Sequence, residues 1–255
     1  MDPHTLTVLM LLAFLAYFVK GVTGAAGAIV FNAGFLTLAA LGWAGQLTLL
    51  DALYWVAMAD FVAGLVMAVL LRKELKSERL VVLLLIGMLP VMVVFTLLLP
   101  SFQAATLGVT LALVVVATGL YQTFRPEPGT GEERDVTRWA LPTGALGGVL
   151  GGLFGMSGPV VFVLFGFASS DPSVFRRRVL IVSTSSSVIR LAVIALSGGL
   201  TLHRVEQFGI TMPALFLGMV GGMRIHRYVK PRPFRVALGL LVVLAGIGAL
   251  LKYVT

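Results

Sequence analysis

Three ionisable residues, Lys20, Asp60 and Arg190, lie inside otherwise apolar stretches of this 255-residue chain. A charged side chain in such a setting is costly and usually functional. The guanidinium of Arg190 can hold an oxyanion through two parallel hydrogen bonds. Asp60 is then expected to serve as its counter-ion or as a proton carrier in coupling. The alternative is a purely structural ion pair between Asp60 and Arg190.

Lys20 directly precedes a glycine motif at 21–27, in which three glycines are spaced three residues apart. The same spacing returns at 152–158 and is followed at once by Pro159. Glycine permits a positive φ and close backbone approach, and broken membrane helices usually mark binding sites. The spacing therefore predicts a helix break at each motif. The alternatives are that the glycines only allow close helix packing and that Lys20 snorkels to a water interface.

A helix that restarts after such a break presents free backbone N–H groups and the positive end of its dipole, which suit an anion. Thr23, Asn32 and Ser157 are expected to add neutral donors. The sequence predicts no catalytic residue. The predicted substrate-binding residues are Lys20, Gly24, Gly27, Asn32, Gly155, Ser157, Gly158, Pro159 and Arg190.

The elements that position these residues are predicted to be membrane helices. The chain is 58% hydrophobic and only 12% charged, and its mean hydropathy is +1.01. Apolar runs of about 20 residues recur from end to end, as membrane spans require. The net charge of +8 lies in short loops rather than on one face of a soluble domain, which argues against nucleic-acid binding. The chain lacks cysteine, and we expect neither a metal site nor a cofactor.

The apolar segments fall into two halves related by a constant offset of 131 residues. Superposing 21–110 on 152–241 without a gap gives 16 identities in 90 positions, including all three glycines of the motif. Such duplications are common among secondary transporters. We therefore predict an all-α integral membrane protein with a first repeat at 1–124, a linker at 125–138 and a second repeat at 139–255. Each repeat would hold a glycine-broken hairpin, re-entrant or paired, and three transmembrane helices.

The extents of the helices follow from the apolar runs. Apart from the two glycine-broken hairpins, the predicted apolar spans are 51–71, 80–99, 104–124, 179–197, 207–223 and 234–253. In the second hairpin each arm has about 15 residues and reaches about 22 Å, less than the roughly 30 Å hydrocarbon core, which favours a re-entrant form. The first hairpin, Thr5 to Gly42, is longer and could span. Trp43, Trp55 and Trp139, near segment ends, are expected to be interfacial anchors.

Most of the basic residues lie in four loops. The ranges 72–79, 125–138, 176–178 and 224–235 contain 15 of the 19 lysines and arginines, and we place them in the cytoplasm. The repeat-related loops are uncharged, so equivalent loops lie on opposite faces. The two repeats are thus predicted to be inverted, with both termini outside and the linker inside.

The segment Gly152–Pro159, which reads Gly-Leu-Phe-Gly-Met-Ser-Gly-Pro, resembles the motif that opens the second repeat of the TauE/SafE-type sulfite exporter and anion permease family. The motif at 21–27 is similar to its partner in the first repeat. The resemblance covers nearly the whole chain. It implies a secondary carrier for sulfite, a sulfonate or another organic anion in a bacterial-type plasma membrane.

We interpret the chain as a transporter that moves a small anion across a lipid bilayer by alternating access, and not as an enzyme. The alternatives are an intramembrane enzyme and a cation or metal exporter. Against the first, the sequence contains no HExxH motif and no nucleophile–base pair. Against the second, Asp51 and Asp60 are too few to form a cage for a hard cation. The sequence leaves open coupling to protons or sodium and a homodimeric state.

Overall fold

The computed structural model describes residues 3–24, 26–70, 78–124, 134–169, 171–225, 228 and 231–254. These ranges form ten α-helices, which confirms the all-α fold class. The basic residues at 72–76, most of the linker, and Ala25 of the first motif lie outside the described residues. The helices are α1 (Pro3–Thr23), α2 (Gly27–Ala40), α3 (Leu49–Leu70), α4 (Arg79–Leu98), α5 (Ala104–Phe124), α6 (Ala140–Phe154), α7 (Gly158–Ala168), α8 (Pro172–Leu196), α9 (Leu202–Ile225) and α10 (Pro231–Val254).

The chain is a multi-pass membrane protein. Six described helices, α1, α3, α4, α5, α8 and α9, are long and apolar enough to cross a bilayer. In the second hairpin, α6 has 15 residues and α7 has 11, which correspond to about 22 and 16 Å against a core of roughly 30 Å. The first hairpin joins the 21-residue α1 to the 14-residue α2. Only one of its two arms therefore has the length of a span.

Two helices, α8 and α9, begin five or more residues earlier than their apolar patterns predict. The helix predicted to start at Val179 begins at Pro172, because Asp171 caps it by accepting a hydrogen bond from the Ser173 amide at 2.8 Å. Proline in the first helical turn reinforces this start. The helix predicted from Gln207 begins at Leu202. Hydropathy marks the apolar part of each helix, whereas capping decides where the helix starts.

The helices form two compact units that do not follow chain order. Unit 1 comprises the described residues of Met1–Val56, Ser101–Arg125 and Thr201–Thr255. Unit 2 comprises those of Ala57–Pro100 and Pro126–Leu200. Each unit therefore draws on both predicted repeats: α9 packs along α1 in unit 1, and α4 packs along α6 in unit 2. The boundaries of the sequence repeats stay a prediction.

Glycines let helices α6 and α4 of unit 2 pack closely against each other. Gly144, Gly148 and Gly152 recur every four residues on α6 and face α4. A Cβ atom at Gly152 would lie 2.7 Å from the Met92 carbonyl oxygen, a distance that real Cβ atoms essentially never show. Small residues at this spacing let membrane helices approach backbone to backbone. Packing therefore requires the first glycine of the second motif.

Unit 1 uses the same device in two helix pairs. Between α1 and α9, a Cβ atom at Gly21 would lie 2.9 Å from the Met223 amide nitrogen and closer still to the Met219 carbonyl. Between α5 and α10, a Cβ atom at Gly119 would lie 2.8 Å from the Gly239 carbonyl oxygen. The packing interpretation is thus correct for the first glycine of each motif.

Candidate functional site

The first glycine motif breaks the helix, as predicted. Gly24 has φ of +86°, in the left-handed region, and its amide donates to the Lys20 carbonyl at 2.7 Å. The Thr23 hydroxyl donates to the Val19 carbonyl at 2.8 Å and accepts from the Ala26 amide at 3.2 Å. The expected role of Thr23 as a donor to a ligand needs correction, because its hydroxyl group already donates its hydrogen to the Val19 carbonyl of α1.

Lys20 lies at this break and is only 4% exposed. A Cβ atom at Gly27, the first residue of α2, would lie 3.0 Å from Lys20 Cδ, so the lysine side chain runs against the start of that helix. Its Nζ lies 5.4 Å from the ring centroid of the buried Tyr17. The snorkelling interpretation is therefore wrong, because the side chain is enclosed by protein within unit 1.

An aromatic cluster extends from this region. Trp55 stacks on Phe31 of α2 with ring centroids 4.3 Å apart. Its Nε1 donates to Thr211 Oγ1 at 2.9 Å. The prediction that Trp55 is an interfacial anchor is wrong, because the side chain is 4% exposed and its one N–H group is satisfied inside unit 1. Trp43 and Trp139 are exposed, as anchors require.

The second motif breaks the helix in the same way. Gly155 ends α6 in the left-handed conformation, with φ of +70° and ψ of 15°. Helix α7 restarts at Gly158 with Pro159 in its first turn, where a missing N–H group costs no hydrogen bond. Ser157 is buried at the N-cap position and makes no capping hydrogen bond through its side chain among the described residues.

Arg190 lies at the second break, although it belongs to α8. It is 3% exposed, and its Nη2 donates to the Leu153 carbonyl oxygen at 3.3 Å. Carbonyl groups in the last turn of a helix lack intrahelical partners and carry the negative end of the dipole, so a guanidinium is favourable there. Unit 2 therefore holds a buried guanidinium beside its helix break, within one compact body.

The arrangement in each unit suits an anion. Each unit has a helix break, a second arm that begins with free N–H groups, and a buried cation: Lys20 in unit 1 and Arg190 in unit 2. A helix N-terminus favours negative charge, and a cation strengthens hydrogen bonds to an oxyanion. Neither Lys20 with the first break nor Arg190 with the second resembles a nucleophile–base pair.

Comparison with known proteins decides the family. A profile described as "Sulfite exporter TauE/SafE" matches residues 9–249, nearly the whole chain. The chain belongs to this family. It is a family of transporters and not of enzymes, so the intramembrane-enzyme interpretation is set aside. No solved structure matches the chain.

Two relatives of this TauE/SafE chain are described by their transport roles. The "Probable sulfite/organosulfonate exporter TauE" of Cupriavidus necator is 34% identical over 168 residues, which are 64% of this chain and 64% of that protein. The "Probable inner membrane transporter protein TsaS" of Comamonas testosteroni is 28% identical over 121 residues, 47% of this chain and 51% of that protein. The matched regions thus cover less than two thirds of each relative.

The remaining predicted site residues lie in both units. Asn32 is buried on α2 of unit 1, and Asp60 is half-buried on α3 of unit 2. The pairing of Asp60 with Arg190 and a coupling role for Asp60 stay predictions. Among the described residues no group of three or more metal-ligating side chains occurs, so nothing there favours the metal-exporter alternative.

Glu78 forms an ion pair with two arginines at one end of unit 2, which the sequence does not predict. Glu78 accepts from Arg177 and from Arg178, whose Nη2 lies 2.6 Å from Glu78 Oε2. Burial alone would raise the pKa of the Glu78 carboxyl, but the hydrogen bonds and charges of the two arginines outweigh it and hold the pKa below its usual value. In the sequence these arginines indicate only the membrane face on which they lie.

A second missed ion pair lies in unit 1. Arg204 Nη2 is 2.8 Å from Asp51 Oδ1. Asp51 also forms a reciprocal capping box with Thr48: the Thr48 amide donates to Oδ2 at 3.1 Å, and the Asp51 amide donates to Thr48 Oγ1 at 3.2 Å. The spacing Thr48-x-x-Asp51 before an apolar run was readable in the sequence, whereas the pairing with Arg204 was not.

Proposed function

We propose that this chain is a secondary transporter that moves a small sulfur-containing anion, sulfite or a sulfonate, across the plasma membrane by alternating access. The observation that carries the proposal is the buried cation beside each glycine break, Lys20 and Arg190. The family and the Cupriavidus necator relative, described as a probable sulfite/organosulfonate exporter, support the same substrate class. The Comamonas testosteroni relative, described as a probable inner membrane transporter, supports transport across that membrane.

The roles of the site residues follow from their positions. At the second break, the Arg190 guanidinium and the Ser157 hydroxyl donate to anion oxygens, and the first-turn N–H groups of α7 add the helix dipole. At the first break, Lys20 and the start of α2 at Gly27 supply the equivalent positive potential, and Asn32 adds a neutral donor further along α2. Pro159 fixes the first turn of α7.

The proposal includes an inverted arrangement of the two repeats. Its support is reciprocal packing: each hairpin packs against the fourth helix of the opposite half, α9 in unit 1 and α4 in unit 2. Inversion of a duplicated four-segment plan would produce this reciprocity. The repeats at 1–124 and 139–255 are proposed on this basis.

The proposed topology places both termini outside and the linker in the cytoplasm. In unit 1, the His4 ring packs on Trp43 with centroids 6.0 Å apart, which joins the N-terminus to the loop after α2. In unit 2, the Arg134 amide donates to the Phe167 carbonyl at 3.0 Å, which joins the end of the linker to the end of α7. Each contact joins two segments that the inverted arrangement puts on the same face.

Cysteine labelling tests this topology, because the chain has no cysteine of its own. The variant Thr130→Cys carries its thiol in the linker. A membrane-impermeant reagent should label it only after the cells are opened. Labelling of intact cells would contradict the proposed orientation.

A flux assay tests the function. The purified protein is reconstituted into liposomes, and uptake is measured for sulfite, aliphatic and aryl sulfonates, carboxylates and chloride, with imposed proton or sodium gradients. We expect saturable uptake of sulfite or a sulfonate that Arg190→Gln abolishes. The proposal would be overturned if no sulfur anion is taken up faster than in protein-free liposomes. It would also be overturned if the protein prefers carboxylates or cations.

A further inference from the structure

A polar pocket of about 440 Å³ opens at the end of unit 1 where α1, α3 and α9 begin. Its volume falls within the roughly 300–1,000 Å³ of ligand pockets. Its walls include Thr5, Gln46, Asp51, His203, Arg204 and Gln207. Lys20, Gly24 and Gly27 do not line it, so it is separate from the first helix break.

The single carboxylate of this pocket is already satisfied by protein donors. Asp51 Oδ2 accepts from the hydroxyl and the amide of Thr48, at 2.6 and 3.1 Å. Asp51 Oδ1 accepts from Nε of Arg204 at 2.9 Å. The negative charge of Asp51 is therefore offset, and it opposes an incoming anion less than an isolated carboxylate would.

Arg204 is held in place by an aromatic face as well as by Asp51. Its guanidinium lies 4.8 Å from the ring centroid of Tyr54. Arginine presents five N–H donors in a planar fork, and both of its bonds to Asp51 converge on the one oxygen Oδ1. Next to it, the His203 and Gln207 side chains hydrogen bond each other at 2.9 Å across one turn of α9. The pocket thus combines a positioned cation with polar side chains at a helix start.

We propose that this pocket is an outer recognition site for the transported oxyanion, in which the anion shares Arg204 with Asp51. The inference rests on the proposed function, because it takes the same substrate class. The side chains of His203 and Gln207 complete the coordination of the anion. Asp51 competes with the anion for the guanidinium, which keeps binding weak enough for release.

This competition gives opposite signs for two substitutions. Arg204→Gln removes the cation, and since charge-assisted hydrogen bonds contribute more than neutral ones, affinity for an oxyanion should fall about tenfold or more. Asp51→Asn removes the competing charge and should raise the affinity. A purely structural ion pair predicts that neither substitution changes anion affinity in this way.

Thiol protection measures binding without transport. Gln46→Cys puts the only thiol of the chain on the pocket wall, and a methanethiosulfonate reagent is added to intact cells. The probes are inorganic sulfate and methanesulfonate, because sulfite itself attacks thiol reagents. We expect both probes to slow labelling saturably, while chloride at equal ionic strength does not.

The variants are compared in this Gln46→Cys background. Arg204→Gln should raise the half-protecting concentration about tenfold or more, and Asp51→Asn should lower it. Arg204→Lys keeps the charge if the glutamine variant folds poorly, and should give an intermediate value. The matched control is Arg178→Gln, which weakens the ion pair of unit 2 and should leave protection unchanged.

Three results would overturn the proposed site. The first is no protection beyond that of chloride, and the second is protection that neither Arg204 variant changes. The third is a half-protecting concentration that shifts in the same direction for Arg204→Gln and Asp51→Asn. Flux without protection contradicts this site alone. Protection without any flux contradicts the proposed function, and with it the claim that the bound anion is a transported one.

Discussion

The two helix breaks share a glycine spacing but take their cations from different elements. At the first break, Lys20 belongs to the last turn of α1, the arm that breaks. At the second, Arg190 comes from α8. The repeat offset places Gly151 opposite Lys20 and Ala59 opposite Arg190, so the cations are not equivalent positions. What the halves share is the backbone geometry of the break, and each half supplies positive charge to it differently.

Within each motif the three glycines have three different roles. The first, Gly21 or Gly152, packs against the backbone of a neighbouring helix. The second, Gly24 or Gly155, takes the left-handed conformation that ends the helix. The third, Gly27 or Gly158, begins the second arm. Helix packing and helix breaking are thus both correct interpretations, at different positions of one motif.

The largest effect is expected from Gly21→Ala and Gly152→Ala, because the new methyl group meets the backbone of a packed helix. Forcing extra volume into a packed interior costs about 1–3 kcal/mol, and rigid backbone neighbours place these sites at the upper end. Both variants should melt at clearly lower temperature in detergent. The matched controls are Gly209→Ala and Gly166→Ala, where nothing lies within 4 Å of the new Cβ atom. If the control variants lose as much thermal stability, the packing role of Gly21 and Gly152 is ruled out.

A smaller and equal effect is expected from Gly24→Ala and Gly155→Ala. The φ angle is +86° at Gly24 and +70° at Gly155, and in this left-handed region an L-residue other than glycine costs about 1–2 kcal/mol. Asparagine tolerates this conformation better than alanine. In thermal unfolding, Gly155→Asn should therefore be less destabilising than Gly155→Ala, although its side chain is larger. The opposite order would show that space rather than conformation selects glycine.

The third glycines sharpen the difference between the two breaks. A methyl group at Gly27 would lie 3.0 Å from Lys20 Cδ, whereas at Gly158 it would lie 3.3 Å from the ring of Phe162 in the same helix. Gly27→Ala should displace the cation and weaken anion-dependent stabilisation several-fold, with a near-normal melting temperature in the absence of anion. Gly158→Ala should weaken it less. Equal behaviour would mean that Lys20 does not bind the anion.

The smallest effect concerns the ion pair of Glu78 in unit 2. Its pKa is held below the usual value, so its contribution to stability is present above the unfolded-state pKa of about 4.3 and is lost as pH falls through the folded-state pKa. Wild type should therefore lose more stability than Glu78→Gln on acidification below about pH 4.3. The difference should stay within about 1 kcal/mol, because the pair is partly exposed. Glu206→Gln, at an exposed site of α9, should behave like wild type.

Local sequence signals predicted the helices and the breaks correctly. Apolar runs identify spans because the bilayer requires them, and glycine spacing identifies breaks because few other residues adopt positive φ. The same signals placed the starts of α8 and α9 several residues late. The hydropathy is low near both starts because charged residues lie there, Arg176 to Arg178 in α8 and Arg204 and Glu206 in α9. For α8 the start depends on the cap at Asp171, which hydropathy does not detect.

The pairing of helices was not readable from the sequence. That α9 packs on α1 and α4 on α6 depends on contacts between distant segments. The same holds for Trp55, whose burial follows from Phe31 and Thr211, and for the Asp51–Arg204 pair. Such long-range pairs leave no local pattern in a single sequence.

Anion-linked stability of the two cation variants tests the central claim most directly. A ligand that binds only the folded state raises the free energy of unfolding by RT ln(1 + [L]/Kd), which is about 2.7 kcal/mol at a ligand concentration of 100 Kd. In detergent, sulfite or a transported sulfonate should raise the melting temperature of wild type in this concentration-dependent way. Lys20→Gln and Arg190→Gln should lose most of that increase, and Arg190→Lys should retain part of it. Anion binding at the breaks would be contradicted if these variants melt early yet keep the full anion-dependent increase. The same conclusion would follow if adding Asp60→Asn to Arg190→Gln restores the melting temperature.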